Sequence, residues 1–198
     1  MILPGFYEGT GMPDPGWWEA LWPDPAWVLD QAGLQPGMAV TDLCAGDGWF
    51  TLQIARIARK AYAIDLDAKL LESSRIRLSD AGIHNCQFIE GDAFDITRLV
   101  PEPVDYVFLA NAFHGVPDRP RLSKAVRDGL KSGGLFGIVS WHARRREETT
   151  VLGKPRGPAT ELRMTPETTI QEVEPSGFKL VKVLDVSPHH YATVFQRQ

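Results

Sequence analysis

VTDLCAGDGWFT, Val40 to Thr51, decides how the chain is read. An apolar strand pattern runs through Asp42 into a glycine turn at Gly46 and Gly48, and a helix-like run follows. Glycine lets backbone pass close under a ligand where any Cβ would collide, and the free N–H groups at the start of the next helix attract a negative group. That combination predicts a nucleotide-type cofactor site. The spacing is not that of a dinucleotide fold, because the fingerprint GxGxxG wants its third glycine where this chain has Thr51.

Outward from that turn the pattern repeats. AYAIDLDAKLL, Ala61 to Leu71, reads as a second buried strand ending at Asp65, about 20 residues after the glycines, where an acid for ribose is expected. FIEGDAFD, Phe88 to Asp95, reads as a third strand closing on Gly91 and Asp92. VDYVFLANAFHGV, Val104 to Val116, reads as a fourth, and KSGGLFGIVSWH, Lys131 to His142, as a helix end, a Gly-Gly turn and a fifth. PETTIQEVEPSGF supplies a helix that stops at Gly177, and FKLVKVLDV and HYATVFQRQ read as strands separated by the short link Ser187-Pro188-His189. So short a link makes a hairpin, since a parallel return needs a crossover. The expected fold is an α/β three-layer Rossmann-like sandwich whose seven-stranded, mostly parallel sheet ends in an antiparallel hairpin.

In this order the motifs resemble those of the class I S-adenosylmethionine (SAM) dependent methyltransferases, small-molecule type 11/25-like. Asp42, Cys44, Gly46 and Gly48 resemble the first motif DxGxGxG with cysteine in the first glycine slot, and the resemblance covers about Val28 to Arg197. It implies SAM as cofactor. It also implies a cofactor site of Asp42, Cys44, Ala45, Gly46 and Gly48, of Asp65 and Leu66 at the ribose hydroxyls, and of Gly91, Asp92, Ala93 and Phe94 at the adenine. The same resemblance implies that Asn111, after the fourth strand, borders the methyl group. The residues by themselves leave other roles open: Asp42 can accept backbone hydrogen bonds, Asp92 can form a turn, and Phe94 can be core. Asp67 is the better N-cap for AKLLESSRIRL, which leaves Asp65 free.

A chain of 198 residues buries roughly 70% of its unfolded surface, enough for one catalytic domain. Cys44 and Cys86 fit neither a disulfide framework nor a zinc spacing, which points to a reducing, cytoplasmic setting without metal. No charged-then-apolar leader and no apolar run near the ~20 residues of a membrane span is present. A net charge of −4 argues against broad nucleic-acid binding, which rests on phosphate neutralisation. The segment NAFH after the fourth strand departs from the (N/D)PP(Y/F) that resembles amino-methylating nucleic-acid enzymes. The expected activity is therefore methyl transfer from SAM to a small or medium-sized acceptor, in line with the departing sulfur. A base, if used, is His114 first and His142 second, because each follows a strand at the cofactor edge and histidine titrates near neutral pH. Two other classes stay open: a non-catalytic SAM- or metabolite-binding protein of the same fold, and an NAD-dependent oxidoreductase lacking its third glycine.

Two segments stand outside that scaffold. Residues 1–23 form an arm before a methyltransferase domain of residues 24–198, in which GMPDPGWW is echoed by WPDPAW and Asp24-Pro25 makes a helix start. Phe6, Tyr7, Trp17, Trp18 and Trp22 give the arm a large aromatic load, so it is expected to be a lid over the substrate, with sheet-edge packing or a homodimer contact as its other roles. On the lid reading, a chain lacking residues 1–22 still folds. The link 142–165 exceeds the usual connection length and carries Arg144, Arg145, Arg146, Lys154, Arg156 and Arg163. It reads as a solvated loop, or, through Arg144, Arg145 and Arg146, as a sleeve for an anionic substrate.

Overall fold

The computed structural model describes residues 15–198, so Phe6 and Tyr7 lie outside the described residues. Five strands, β1 (Ala39–Leu43), β2 (Lys60–Asp65), β3 (Cys86–Glu90), β4 (Val104–Ala110) and β5 (Leu130–Trp141), pair in parallel. A two-residue turn joins β8 (Phe178–Ser187) to β9 (His190–Arg197), and β9 runs antiparallel to both β5 and β8. The sheet order is β3-β2-β1-β4-β5-β9-β8. Between β5 and β8, the short strands β6 (Thr150–Val151) and β7 (Lys154–Pro155) form a separate antiparallel pair. The expected sandwich with its terminal hairpin is therefore present.

Along β4, Tyr106 and Phe108 enter one apolar cluster while Val107 and Leu109 enter another, so the central strand is buried on both faces. Such a strand needs helices on both sides. Helices α1 (Pro15–Leu21), α2 (Pro25–Gln31), α3 (Trp49–Ile57) and α4 (Ala68–Asp80) cover the first face through Trp17, Leu29, Ile54 and Leu78. Helices α5 (Ile96–Leu99), α6 (Arg119–Gly129) and α7 (Pro166–Val173) cover the second through Ile96, Val126 and Val173.

Local chemistry starts and stops these helices as read. The Asp24 carboxylate accepts from Trp27 N–H at 2.9 Å, Asp67 accepts from Lys69 N–H at 2.8 Å, and Gly177 ends the run after α7 at φ 91°. Lys131 to His142 differs. The helix ends at Gly129, and the Gly-Gly pair lies inside β5 as an irregularity of its pairing with β4 rather than as a turn before it. Gly137 of β5 is required by a close approach: Tyr106 lies over it and donates its hydroxyl to Ala32 carbonyl at 2.8 Å, tying the end of α2 to the sheet. Among the described residues no helix is long and apolar enough to cross a membrane.

Candidate active site

Asp42, one residue before the end of β1, is buried, and its Oδ2 accepts from Thr51 Oγ at 2.6 Å. Burial pushes its pKa up to about 7, with the Thr51 hydrogen bond opposing and the Asp65 charge adding. The turn that follows uses left-handed backbone at Cys44 (φ 57°) and Gly46 (φ 56°), which aims the Gly46 N–H at Asp65 Oδ2, 2.8 Å away. Burial also drives the Cys44 thiol upward, so it stays protonated. Gly48 (φ 84°) begins α3, and Ser74 of α4 occupies the space a Cβ would need, so this glycine serves helix packing.

Asp65 is not free. Besides Gly46, its Oδ1 accepts from Asp67 N–H at 2.9 Å, and its backbone carbonyl accepts from Gly91 N–H at 3.0 Å. Asp65 thus joins the turns after β1, β2 and β3, with Leu66 inside the turn it closes. Burial raises its pKa, and the Asp67 and Gly46 N–H groups oppose that rise. A carboxylate offers about four lone-pair sites, so two remain for a ligand. Asp92 Oδ1 accepts from Phe94 N–H at 3.0 Å and caps the 3-10 turn Ala93–Asp95. The Phe94 ring lies 4.4 Å from the Arg121 guanidinium, and Gly91 backs onto Leu99.

A pocket of about 180 Å³ opens where β1 and β4 end. Its loop side is Asp42, Cys44, Ala45, Gly46 and Asp47; its β4 side is Ala110, Asn111, Ala112 and His114. Trp17, Trp18, Trp49, Phe50, Trp141 and the Gly157-Pro158 segment complete it. Asn111 stands at φ 58° with its Oδ1 buried, and neither that atom nor Asp47 Oδ1, Trp18 Nε1 or Trp49 Nε1 has a hydrogen-bond partner among the described residues. Buried polar atoms without partners are uncommon, and four of them belong to residues around this one pocket.

His114 sits in the 3-10 turn Phe113–Gly115, held by Arg119, which donates to the carbonyls of Phe113 (3.1 Å) and His114 (2.9 Å). Burial lowers its pKa to about 4, and the charges of Arg119 and Arg163 add to that. His142 does not border this pocket. It lines a shallower depression with Trp27 and Arg144, and its Nε2 is 3.2 Å from Asp185 Oδ1. Burial holds its pKa below the ordinary value, with Asp185 pulling the other way.

The described end of the arm has two roles. Trp17 and Trp18 stack at 5.4 Å and form pocket wall, whereas Trp22 is 1% exposed and packs against Phe50 and His190 in the core. Arg144, Arg145 and Arg146 also part company, and none borders the pocket. Arg144 donates to Pro188 carbonyl at 3.1 Å, Arg145 pairs with Glu148 at 2.7 Å on the surface, and Arg146 Nε donates to Gly157 carbonyl at 3.0 Å.

The link 142–165 is instead clamped onto Trp141. Gly157 (φ 84°) packs so close to the indole that a Cβ would fall 2.8 Å from its ring carbons. Arg163, 7% exposed, lies 5.1 Å from the same ring and donates to Pro158 and Arg156 carbonyls and to Thr149 Oγ1. The sequence reading missed Asp47, Trp49, Trp141 and Gly157-Pro158 as pocket residues, and took Thr51 only as a missing glycine. The spacing of Thr51 one turn into a helix behind an acid-bearing strand is a signal that could have found its bond to Asp42.

Residues 40–134 match a sequence family described as "Methyltransferase domain". The chain is 30% identical over 118 residues to the protein-L-isoaspartate O-methyltransferase of Pyrococcus horikoshii, covering 58% of this chain and 50% of that protein. It is 25% identical over 111 residues to the demethylmenaquinone methyltransferase of Geobacillus stearothermophilus, covering 54% and 47%. The chain thus spans about half the length, or less, of the curated relatives it matches. A SAM dependent methyltransferase from Aquifex aeolicus superposes with a TM-score of 0.78 at 21% identity, over 93% of this chain and 94% of that one. Strand order, motif order and family match agree: residues 40–134 match the methyltransferase-domain family, and the chain has the fold of the SAM dependent methyltransferase on which it superposes.

Proposed function

We propose that the protein transfers a methyl group from SAM to a small or medium-sized acceptor held in the pocket between the β1 and β4 ends. The observation that carries this reading is convergence: the glycine turn, the β4 exit with Asn111 and His114, and a tryptophan wall share one cavity. The residues fit the cofactor, since Gly46 backbone is open to close approach, Asp65 keeps lone pairs for ribose hydroxyls, and Asn111 Oδ1 has no other partner among the described residues. Asp92 and Phe94 would take the adenine side. When bound, SAM supplies a methyl carbon made electrophilic by its sulfonium. The protein's part is to position the acceptor and exclude water, an effect worth ~7 to 11 kcal/mol in well-oriented systems.

His114 is the base in this reading because it borders the pocket and is neutral throughout the neutral range, and its pKa of about 4 makes it a weak proton acceptor. Its folded pKa of about 4 lies below its ordinary 6.5, so folding favours the neutral form. That contribution to stability is present above the unfolded pKa and is lost as pH falls through the folded one. The rate should accordingly stay level from about pH 8 down past 6.5, with no histidine inflection there. A rate that halves near pH 6.5 would remove His114 from the role.

The relatives carry names for different acceptors, isoaspartyl and demethylmenaquinone, and so do not choose one for this chain. Incubating the pure protein with methyl-labelled SAM and a metabolite extract should yield a labelled small molecule by mass spectrometry. Tight SAM binding without any labelled product would favour the non-catalytic binding protein instead, and calorimetric preference for NAD over SAM would sink both.

A further inference from the structure

Of the three acids at the ends of β1, β2 and β3, Asp42 alone borders the pocket; Asp65 and Asp92 stand outside its wall. Asp47, the other acid on that wall, is neutralised by Arg77 at 2.8 Å. Asp42 forms no ion pair among the described residues, and its one side-chain hydrogen bond is the 2.6 Å contact that Thr51 Oγ1 donates to Oδ2. A threonine hydroxyl inside a helix ordinarily bonds the carbonyl a turn behind it. Thr51, fully buried near the start of α3, gives its proton instead to a carboxylate on the neighbouring strand.

A buried carboxylate without a cation is costly, and burial pushes Asp42 up to about 7. Its surroundings offer little relief. Asp65 at the end of β2 adds a like charge, and the Cys44 thiol in the turn and the Cys86 thiol on β3 are held protonated by their own burial. His114, across the pocket at the β4 exit, is neutral, and the Arg77 of α4 is committed to Asp47. The Thr51 hydroxyl is therefore the group that opposes the loss of charge on Asp42.

A small cavity walled by an acid that lacks a cation suits a cationic ligand. SAM is one at its sulfonium. On transfer the methyl carbon bonds to a lone pair of the acceptor, the C–S pair returns to sulfur, and the acceptor sheds a proton; what stays behind is a neutral thioether.

We infer that Thr51 is a positioning residue of the cofactor site: its hydroxyl holds Asp42 as the anion that makes the pocket favour the sulfonium cofactor over the thioether product. The inference rests on the methyl-transfer reading of the same pocket. The reaction then cancels the attraction that held its own cofactor, so the product leaves a site that no longer draws it.

The test titrates the full chain by calorimetry with SAM and with S-adenosylhomocysteine at pH 7.0 and pH 5.5, a range in which both ligands keep their ammonium largely protonated, so that their difference reads the sulfonium. The preference for SAM should fall by about fivefold or more on going to pH 5.5, as Asp42 takes up a proton. In Asp42→Asn the preference should be low and the same at both pH values. Thr51→Val, which keeps the shape and removes the hydroxyl, should weaken SAM at pH 7.0 by about threefold or more, leave S-adenosylhomocysteine within about twofold, and regain SAM affinity at higher pH. Thr51→Ser should restore the wild-type profile, and Thr51→Ala replaces the valine variant if that one does not fold. A preference indifferent to pH in the wild-type protein, or a hydroxyl deletion that weakens both ligands equally, would overturn the inference. Failure of the wild-type protein to bind either ligand would instead strike the methyltransferase reading, and the first titration at pH 7.0 detects that.

Discussion

Trp22→Ala should come close to unfolding the domain. The side chain is 1% exposed, its ring lies 5.3 Å from Phe50 and 4.3 Å from His190, and it belongs to the cluster that packs α2 and α3 on the sheet. Deleting a buried indole costs about 3 to 5 kcal/mol, through lost transfer energy and the cavity left behind. A typical domain has about 5 to 15 kcal/mol in total. At about 2 to 4 °C per kcal/mol for a chain of this size, the melting temperature should fall by about 6 to 20 °C in calorimetry. Trp18→Ala, at a half-buried wall position, should cost much less; equal losses would mean that the two ends of α1 are not distinguished as described. Deletion of residues 1–22 removes Trp22 as well, so the folded, lidless domain expected from sequence should not be obtained. Deletion of residues 1–14 leaves Trp17, Trp18 and Trp22 in place and is the fair test of the remaining arm.

Asp65→Ala should weaken SAM binding by about ten- to more than a hundredfold, corresponding to about 1.5 to 3 kcal/mol for a hydrogen bond to a charged group. The loss should sit at the upper end, because the mutation also strips the acceptor from Gly46 N–H and Asp67 N–H and loosens the turn under the cofactor. Asp65→Asn keeps oxygen at one position and should fall between. Asp92→Ala should cost less binding, since its only described side-chain hydrogen bond is the cap to Phe94 N–H. Calorimetric titration of the folded variants checks all three, and an Asp92 loss exceeding that of Asp65 would mean the adenine and ribose ends are misplaced.

The common edge of the strand-end residues was legible because it is written locally. Asp42, Asp65, Asp92 and Asn111 each follow an apolar run, and a parallel sheet brings the ends of such runs to one edge whatever lies between them. What Asp65 does there was not legible: only the left-handed turn at Gly46 reveals that its carboxylate holds backbone. The pocket wall was hidden for a different reason. Trp141 reaches it through the length of β5, and Gly157-Pro158 through a loop whose path depends on Arg163 and Thr149 meeting across 14 residues. Nor can charge spacing tell which of three consecutive arginines ends on a carbonyl, an acid or a loop; Arg144, Arg145 and Arg146 take one each. Trp22 belonged to a segment without periodicity, and its burial follows from where the chain between α1 and α2 meets Phe50 and His190 rather than from any local pattern.

The clamp on Trp141 has a consequence for binding. If residues 142–165 must swing outward for an acceptor to enter, the indole is uncovered, and exposing about 100 Å² of it costs about 2.5 kcal/mol. The open form is then about 1 to 2% of the population, and the three hydrogen bonds of Arg163, which run to Pro158, Thr149 and Arg156 inside the same segment, travel with it. An acceptor that binds only that form has its apparent affinity reduced by the same fraction.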